Sequence, residues 1–188
     1  MHNNVPGSEY SLARSFGQYN FANIPQELKE PKQWCVWRLE FDPAIHKKPT
    51  KVPYSSWPNG GKASVTNPAT WGTFEQACAA PLTCMEPCHP GTPISETGYS
   101  GLGFVFSKDD PFVGIDLDDP KGDVEAIELH NRIIESFNSY TERSPSGKGF
   151  HIIVKGKIPI GCRRGTVEMY GEGRFFTMTG EVVKNADS

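Results

Sequence analysis

The stretch that decides the fold is Phe112-Val113-Gly114-Ile115-Asp116-Leu117-Asp118. Its apolar content predicts a strand, on which successive side chains point to opposite faces. Ile115 and Leu117 should therefore face a core, while Asp116 and Asp118 share the other face about 7 Å apart. Two carboxylates on one face form a seat for a hard divalent cation such as Mg²⁺. The alternative is a pair of solvated aspartates near the acidic end of a strand.

A second motif is the loop Ser144-Pro145-Ser146-Gly147-Lys148-Gly149-Phe150-His151, which leads into another strand. Gly147 and Gly149 allow backbone amides to approach an anion, and Lys148 adds a positive charge. His151 can donate a hydrogen bond to a phosphate oxygen. The loop thus indicates phosphate binding, against the alternative of an ordinary turn with a surface histidine. It is not a Walker A pattern, so generic P-loop chemistry is not supported.

Two later segments extend the candidate site. Glu168, within Thr166–Tyr170, could complete a cluster of three metal-binding carboxylates. Within Gly173–Thr177, Arg174 could bind a triphosphate, and a neighbouring ring such as Phe175 could pack on a sugar or base. The plainer alternatives are an exposed glutamate on a hairpin and a core aromatic pair beside a solvated arginine.

Composition limits the classes of protein that fit. The 188 residues, 37% of them hydrophobic, predict one compact domain or two closely packed modules. No apolar run is long enough to cross a bilayer and no signal peptide is visible, so we expect a soluble, cytoplasmic protein. The net charge of −3 is not the overall signature of a nucleic-acid binder. Basic residues nevertheless group apart from the acidic region 109–128: Lys47, Lys48 and Lys51, then Lys148, Lys155, Lys157, Arg163, Arg164 and Arg174.

The five cysteines do not indicate a disulfide framework, because their number is odd and no secretion signal is present. A group of thiols and an imidazole could bind zinc, but its C-x5-C-x3-C-H spacing lacks the usual C-x2-C pair. Free thiols in a loop insertion are therefore favoured over zinc. The candidate zinc ligands are Cys78, Cys84, Cys88 and His89.

The predicted elements give an α+β order. We expect a flexible arm over 1–24, strands over 33–39 and 51–54, and helices over 26–29, 67–80 and 124–136. A surface loop should cover 81–99. Strands 101–106 and 112–118 should form one hairpin, and strands 166–170 and 174–179 a second. Strands over 140–142 and 150–155 should flank the glycine loop, and 182–188 should be a tail or the start of a linker.

In this order, the motifs resemble the phage and plasmid primase–polymerase (Prim-Pol) branch of the archaeo-eukaryotic primase superfamily. The resemblance covers about residues 30–181. Besides the motifs above it includes Trp34-Cys35-Val36-Trp37, Thr50-Lys51-Val52-Pro53-Tyr54, Gly61-Lys62-Ala63-Ser64, Asn67–Phe74, Gly101–Phe106 and Tyr140-Thr141-Glu142. Phe175 stands where many relatives have Tyr, so sugar selection there would rest on ring packing. The insertion 81–99 matches no family feature.

The resemblance implies the primase fold. An N-terminal α/β module (about 25–100) would pack on a C-terminal module related to the RNA-recognition fold (about 101–181), with the active site in the cleft between them. It implies a template-directed nucleotidyltransferase, a DNA primase or polymerase, with Mg²⁺ or Mn²⁺ held by Asp116, Asp118 and Glu168. Incoming dNTP or NTP would contact Ser146, Gly147, Lys148, His151, Arg174 and Phe175.

The expected partners are single-stranded or primed DNA and a helicase, in the same polypeptide or separate. Candidate contacts with template or nucleotide are Lys51, Lys62, Arg163 and Arg164. Two alternatives stay open: a metal-dependent nuclease, and a non-catalytic replication module that binds single-stranded DNA or nucleotide.

Overall fold

The computed structural model describes residues 19–58, 60–84, 86–119 and 121–185. Its helices are α1 (Gln26–Lys29), α2 (Phe74–Cys78), α3 (Ile94–Thr97) and α4 (Val124–Phe137). Its strands are β1 (Trp34–Glu40), β2 (Thr50–Tyr54), β3 (Gly101–Val105), β4 (Phe112–Asp118), β5 (Tyr140–Arg143), β6 (Gly149–Lys155), β7 (Cys162–Arg164), β8 (Val167–Tyr170), β9 (Phe175–Met178) and β10 (Val182–Lys184).

The strands form two sheets in which all neighbours run antiparallel. The first sheet has the order β2-β1-β3-β9, and the second has the order β10-β5-β6-β4-β8-β7. Two antiparallel sheets with few helices make this a mixed α+β architecture, as the sequence predicts.

The second sheet is covered on both faces. Ile115 and Leu117 of β4 pack with Ile152 of β6 and Ile134 of α4, which confirms their predicted inward orientation. The opposite face, which carries Phe112, joins the core of the first sheet. Asp116 and Asp118 alternate with Ile115 and Leu117, so both aspartates belong to the face turned toward the first sheet.

Both predicted hairpins are wrong. β3 pairs with β1 and β9 in the first sheet, while β4 lies at the centre of the second. β8 and β9 likewise belong to different sheets, so the chain crosses between sheets at 106–111 and at 171–174. The first sheet draws strands from both sides of the module boundary expected near residue 100, and that boundary stays a prediction.

The predicted helix over 67–80 is interrupted. Asn67 caps only a 3-10 turn over Pro68–Thr70, and α2 begins afresh after Thr73 with a capping box to Gln76. The longer helix α4 is confirmed, with Asp123 as its N-cap. Its apolar stripe is narrower than expected, because Ile127 and Leu129 are exposed.

The segments next to both described ends carry structure, since β10 (Val182–Lys184) lies within the expected tail and pairs with β5. In 19–24, which falls within the expected arm, Phe21–Asn23 forms a 3-10 turn and Ile24 is buried. Residues 1–18 and 186–188 lie outside the described residues. Among the described helices, none has the length and apolar character needed to cross a membrane.

Candidate functional site

One register row crosses five strands of the second sheet. Asp116 on β4 lies directly opposite His151 on β6 and Glu168 on β8. The same row continues outward to Glu142 on β5 and Arg163 on β7. Directly opposed residues in an antiparallel sheet project from the same face. Three carboxylates, an imidazole and a guanidinium therefore stand in a line on the face turned toward the first sheet.

His151 is held on three sides. Its ring stacks on Phe176 of β9 with centroids 4.5 Å apart and planes inclined by 22°. Its Nδ1 lies 3.4 Å from Oε1 of Glu142, and its Nε2 lies 3.8 Å from Oδ1 of Asp116. Only a small part of the ring remains exposed. The arrangement leaves Nε2 as the ring nitrogen nearest the carboxylate predicted to bind metal.

Glu168 is engaged by side chains of its own sheet. Arg163 approaches its Oε1 at 2.9 Å, and the hydroxyl of Tyr170 donates to its Oε2. Arg163 is mostly exposed, whereas Glu168 is about a quarter exposed. The predicted third carboxylate therefore lies on the same face as Asp116, and it is already paired with the guanidinium of Arg163.

Lys51 enters the site from β2 of the first sheet. Its ammonium group donates a hydrogen bond to Oγ1 of Thr177 at 3.2 Å and lies 5.8 Å from the centroid of the Trp37 ring. Desolvation by the surrounding protein lowers the pKa of Lys51, while the carboxylates of Asp116 and Asp118 oppose that shift. The sequence offered Lys51 only as a candidate contact, and the structure brings it beside the aspartates.

These side chains line a cavity of about 230 Å³ between the two sheets. The exposed Arg174 lies at its edge with its guanidinium 5.0 Å from the centroid of the Tyr170 ring. Phe175 and Phe176 point to opposite faces of β9, and both reach the cavity. The lining residues are Lys51, Asp116, His151, Glu168, Tyr170, Arg174, Phe175, Phe176 and Thr177.

The glycine loop connects β5 to β6 and lies beside this row, outside the lining of the cavity. Asp118 pairs with Gly149, so the loop adjoins the second aspartate. Its turn is closed by hydrogen bonds from the Gly147 amide to the Ser144 carbonyl and from the Lys148 amide to Ser146 Oγ. Ser146 and Lys148 are exposed. Asp118, Ser146, Gly147 and Lys148 are therefore not among the residues that line the cavity.

Among the described residues, no three Asp, Glu, His or Cys side chains converge tightly enough to hold a metal ion as they stand. The donor set nevertheless suits a hard cation, because Asp116 and Glu168 are directly opposed and Asp118 shares their face. Glu168 would have to turn from Arg163 toward Asp116.

The predicted zinc ligands are dispersed. Cys84 Sγ lies 3.0 Å from Cys88 Sγ, but Cys78 is on α2 and His89 faces Asp42 at 3.5 Å. Burial raises the pKa of Cys84 to about 12, and the Cys88 thiol adds to the rise, which disfavours the thiolate that zinc requires.

The other basic residues predicted to contact template or nucleotide differ in their surroundings. Lys62 pairs with Glu40 at 3.2 Å on the first sheet, where Arg38 holds the same carboxylate. Arg163 is paired with Glu168, and Arg164 is exposed on β7. Of these three exposed residues, Arg164 alone makes no hydrogen bond or ion pair with a described residue.

A larger cavity of about 850 Å³ lies beside α2, α3 and Trp57. Its lining among the described residues is mostly apolar and contains no charged side chain. It offers neither an acid nor a base, so the smaller cavity with the register row is the better candidate for chemistry.

Sequence reasoning missed four side chains of the site: Glu142, Tyr170, Phe176 and Thr177. Tyr170 and Glu168 lie two residues apart on one strand, which indicates that their side chains share a face. Glu142 gave no such signal, because its role depends on pairing with a strand nine residues away.

Comparison with known proteins finds a named relative of this chain. No family model matches the chain. The chain is 37% identical, over 169 residues, to a DNA primase-polymerase from Nitratiruptor phage NrS-1. The similarity covers 85% of this chain and 21% of that protein, so the chain spans about a fifth of the relative's length.

Proposed function

We propose that this chain is the catalytic domain of a template-directed nucleotidyltransferase, a DNA primase or polymerase of the Prim-Pol family. The observation that carries the proposal is the register row in which Asp116 lies between His151 and Glu168. The similarity to a named primase-polymerase over most of this chain supports it independently. The proposal includes the primase fold, with the cleft between the two sheets as its active site.

Asp116, Asp118 and Glu168 are the residues that would hold Mg²⁺ or Mn²⁺. A bound metal pair at such a site activates a 3′-hydroxyl and stabilises the pyrophosphate that leaves. To hold the metal, Glu168 would have to leave Arg163, and Asp118 would join from two residues along β4, where it pairs with Gly149.

The surrounding cations bind the triphosphate. Lys51 and Arg174 both line the cavity, and Nε2 of His151 lies beside Asp116. Charged donors form the stronger hydrogen bonds to phosphate oxygens. The exposed loop residues Ser146, Gly147 and Lys148 extend this cradle beyond the cavity, and Phe175 packs on the sugar or base.

Single-stranded or primed DNA is the proposed template, with dNTP or NTP as substrate. Arg164 is exposed on the edge strand β7, on the face opposite to Arg163, and is the proposed backbone contact. A helicase, as a further domain or a separate protein, is the proposed partner in replication.

Primer extension on a primed template with Mn²⁺ or Mg²⁺ tests the function. We expect extension by the unmodified chain and a loss of at least about 100-fold in Asp116→Asn/Asp118→Asn, since the metal has lost two ligands. Asp109→Asn is the matched control, because Asp109 is an exposed aspartate outside the row.

Extension that survives in the double variant would overturn the assignment. Metal-dependent shortening of the DNA without extension would identify a nuclease instead. DNA binding that persists without divalent metal, with no turnover, would identify a binding module.

A further inference from the structure

Glu142 is the most deeply buried charged side chain in contact with the site, with none of its surface exposed. Three of its four recorded partners are donors, and the fourth is a donor in one of its two neutral tautomers. The Tyr140 hydroxyl donates at 2.7 Å, and the backbone amides of Thr179 and Gly180 donate at 3.1 and 2.7 Å. The fourth partner is Nδ1 of His151 at 3.4 Å. An acceptor-only carboxylate satisfies all four.

The turn that supplies the two amides has little freedom to change. Gly180 has a φ of +65°, and a Cβ at this position would lie 2.0 Å from the Asn20 carbonyl oxygen. Burial raises the pKa of Tyr140, and the Glu142 charge raises it further, so its hydroxyl stays a donor. The surroundings of Glu142 therefore fix both of its oxygens as acceptors.

This arrangement favours a proton on Nδ1 of His151. Glu142 is nearer to the ring than Asp116 is, 3.4 Å against 3.8 Å, and it is buried while Asp116 is about a third exposed. A neutral imidazole has one donor and one acceptor nitrogen, and the partner of one nitrogen sets the state of the other. With the Nδ1 proton held by Glu142, Nε2 is the atom presented to the cavity.

We propose that Glu142 is the positioning residue of His151: it holds the Nδ1 proton, and with Phe176 stacked on the ring it fixes the direction of Nε2. The proton assignment stands on the geometry alone. Its use rests on the proposed function: when the ring also carries a proton on Nε2, Glu142 keeps the proton on Nδ1 and Nε2–H donates to a nucleotide phosphate oxygen.

The proton assignment is read directly by ¹⁵N NMR of the imidazole nitrogens, in buffer alkaline enough for the ring to be neutral. We expect the Nδ1-protonated form of His151 in the unmodified chain. In Glu142→Gln, the backbone amides of Thr179 and Gly180 should still donate to the side-chain oxygen. The side-chain NH2 group should then face Nδ1 of His151. That amide donates, so the proton should move to Nε2.

Tyr140→Phe is the matched control, because it removes a donor to the same carboxylate without altering the contact with His151. We expect this variant to keep the Nδ1-protonated form. An Nε2-protonated ring in the unmodified chain would overturn the proposal, and so would an unchanged ring in folded Glu142→Gln. The spectrum of the unmodified chain decides the matter even if Glu142→Gln does not fold.

Equilibrium binding of a dNTP with Mn²⁺ then tests the use of this orientation. We expect a loss of about tenfold in affinity in Glu142→Gln, because a ring whose Nδ1 accepts from the introduced amide stays neutral and is a weaker donor to phosphate than an imidazolium. We expect little change in Tyr140→Phe. Unchanged affinity in a Glu142→Gln protein with a shifted proton would overturn the positioning role. If no variant binds dNTP while the spectra are as expected, the proposed function fails and the proton assignment stands.

Discussion

Glu168 has different partners in this structure from those that it would have with a metal bound. It has Arg163 on one oxygen and Tyr170 on the other, and a divalent metal would compete with the first of these. The Arg163 side chain is 72% exposed, so the ion pair is of the surface type, which contributes about 0.2–1 kcal/mol. An interaction of that size restrains Glu168 without preventing it from turning toward a metal.

Replacing Arg163 with Ala should therefore strengthen metal binding. The expected gain is about two- to fivefold in Mn²⁺ affinity, because the competing cation is removed. Isothermal titration calorimetry measures it. Arg164→Ala is the control, since it removes the same charge from the next residue, whose Cα pairs with Val167. Equal effects of the two substitutions would show that Arg163 acts only through overall charge.

Individual site residues differed in how well the sequence could identify them. Asp116, His151 and Glu168 were each named by motif, and the structure brings all three into one row. Lys51 was only a weak candidate, because its approach depends on how the two sheets pack. Glu142 was part of a segment that carries the resemblance but was not predicted as a site residue, since a glutamate in a short strand gives no sign of being fully buried.

The first sheet contains a buried charge network of its own on β1. Arg38 and Glu40 lie two residues apart and therefore on one face, with 2.8 Å between Nη2 and Oε1. The Tyr54 hydroxyl and Lys62 also donate to Glu40. Burial alone would raise the pKa of Glu40, but the hydrogen bonds from Tyr54, Arg38 and Lys62 outweigh it and hold the pKa below the ordinary value.

This network predicts a pH-dependent stability. A depressed folded-state pKa means that Glu40 stabilises the fold above its unfolded pKa, and this stabilisation disappears as the pH falls through the folded value. Glu40→Gln should lower the free energy of unfolding by about 3 kcal/mol at pH 7, since it leaves Arg38 buried without its counter-charge. The difference from the unmodified chain should shrink below about pH 4.5.

Urea unfolding at several pH values measures this difference. Glu27→Gln is the control, because Glu27 pairs with Lys155 at the surface, where both side chains are about half exposed or more. Its cost should stay below about 1 kcal/mol at every pH. A Glu40→Gln cost that does not change between pH 7 and pH 3 would contradict the account.

Strands were easier to predict than their partners. Runs of apolar, aromatic and β-branched residues identified β1, β3, β4 and β6 close to their observed bounds, because composition is a local property. The hairpins failed because strand pairing is not local. The segment 106–111 is short enough for a hairpin, but Asp110 accepts hydrogen bonds from Gln33 and from the Ser107 and Phe112 amides, which steers the chain to the other sheet.

The two sheets meet most closely at Gly114, which lies on β4 one alternation before Asp116. A Cβ there would lie 2.5 Å from Phe106 Cζ and 2.6 Å from Phe176 Cε2. Phe106 and Phe176 pack edge to face, and Phe176 in turn stacks on His151. The absence of a side chain at Gly114 thus allows the contact on which the position of His151 depends.

Gly114→Ala should disturb both stability and the site. Overpacking of a filled core typically costs about 1–3 kcal/mol, which urea unfolding would detect. Primer extension should fall more than this modest loss of folded protein explains, because Phe176 must shift. Gly156→Ala is the control, since a Cβ there meets nothing within 4 Å. A Gly114→Ala protein with normal stability would show that the sheets are packed less closely than described.

The position of the metal tests the central claim most directly. Crystals grown with Mn²⁺ and a non-hydrolysable dNTP would locate it by anomalous scattering. We expect a peak bonded to Asp116, Asp118 and Glu168 at about 2.1 Å. Arg163 should be displaced from Glu168, and the triphosphate should lie against His151 and Lys51. A peak elsewhere, with Glu168 still paired to Arg163 and no metal at Asp116, would contradict the account.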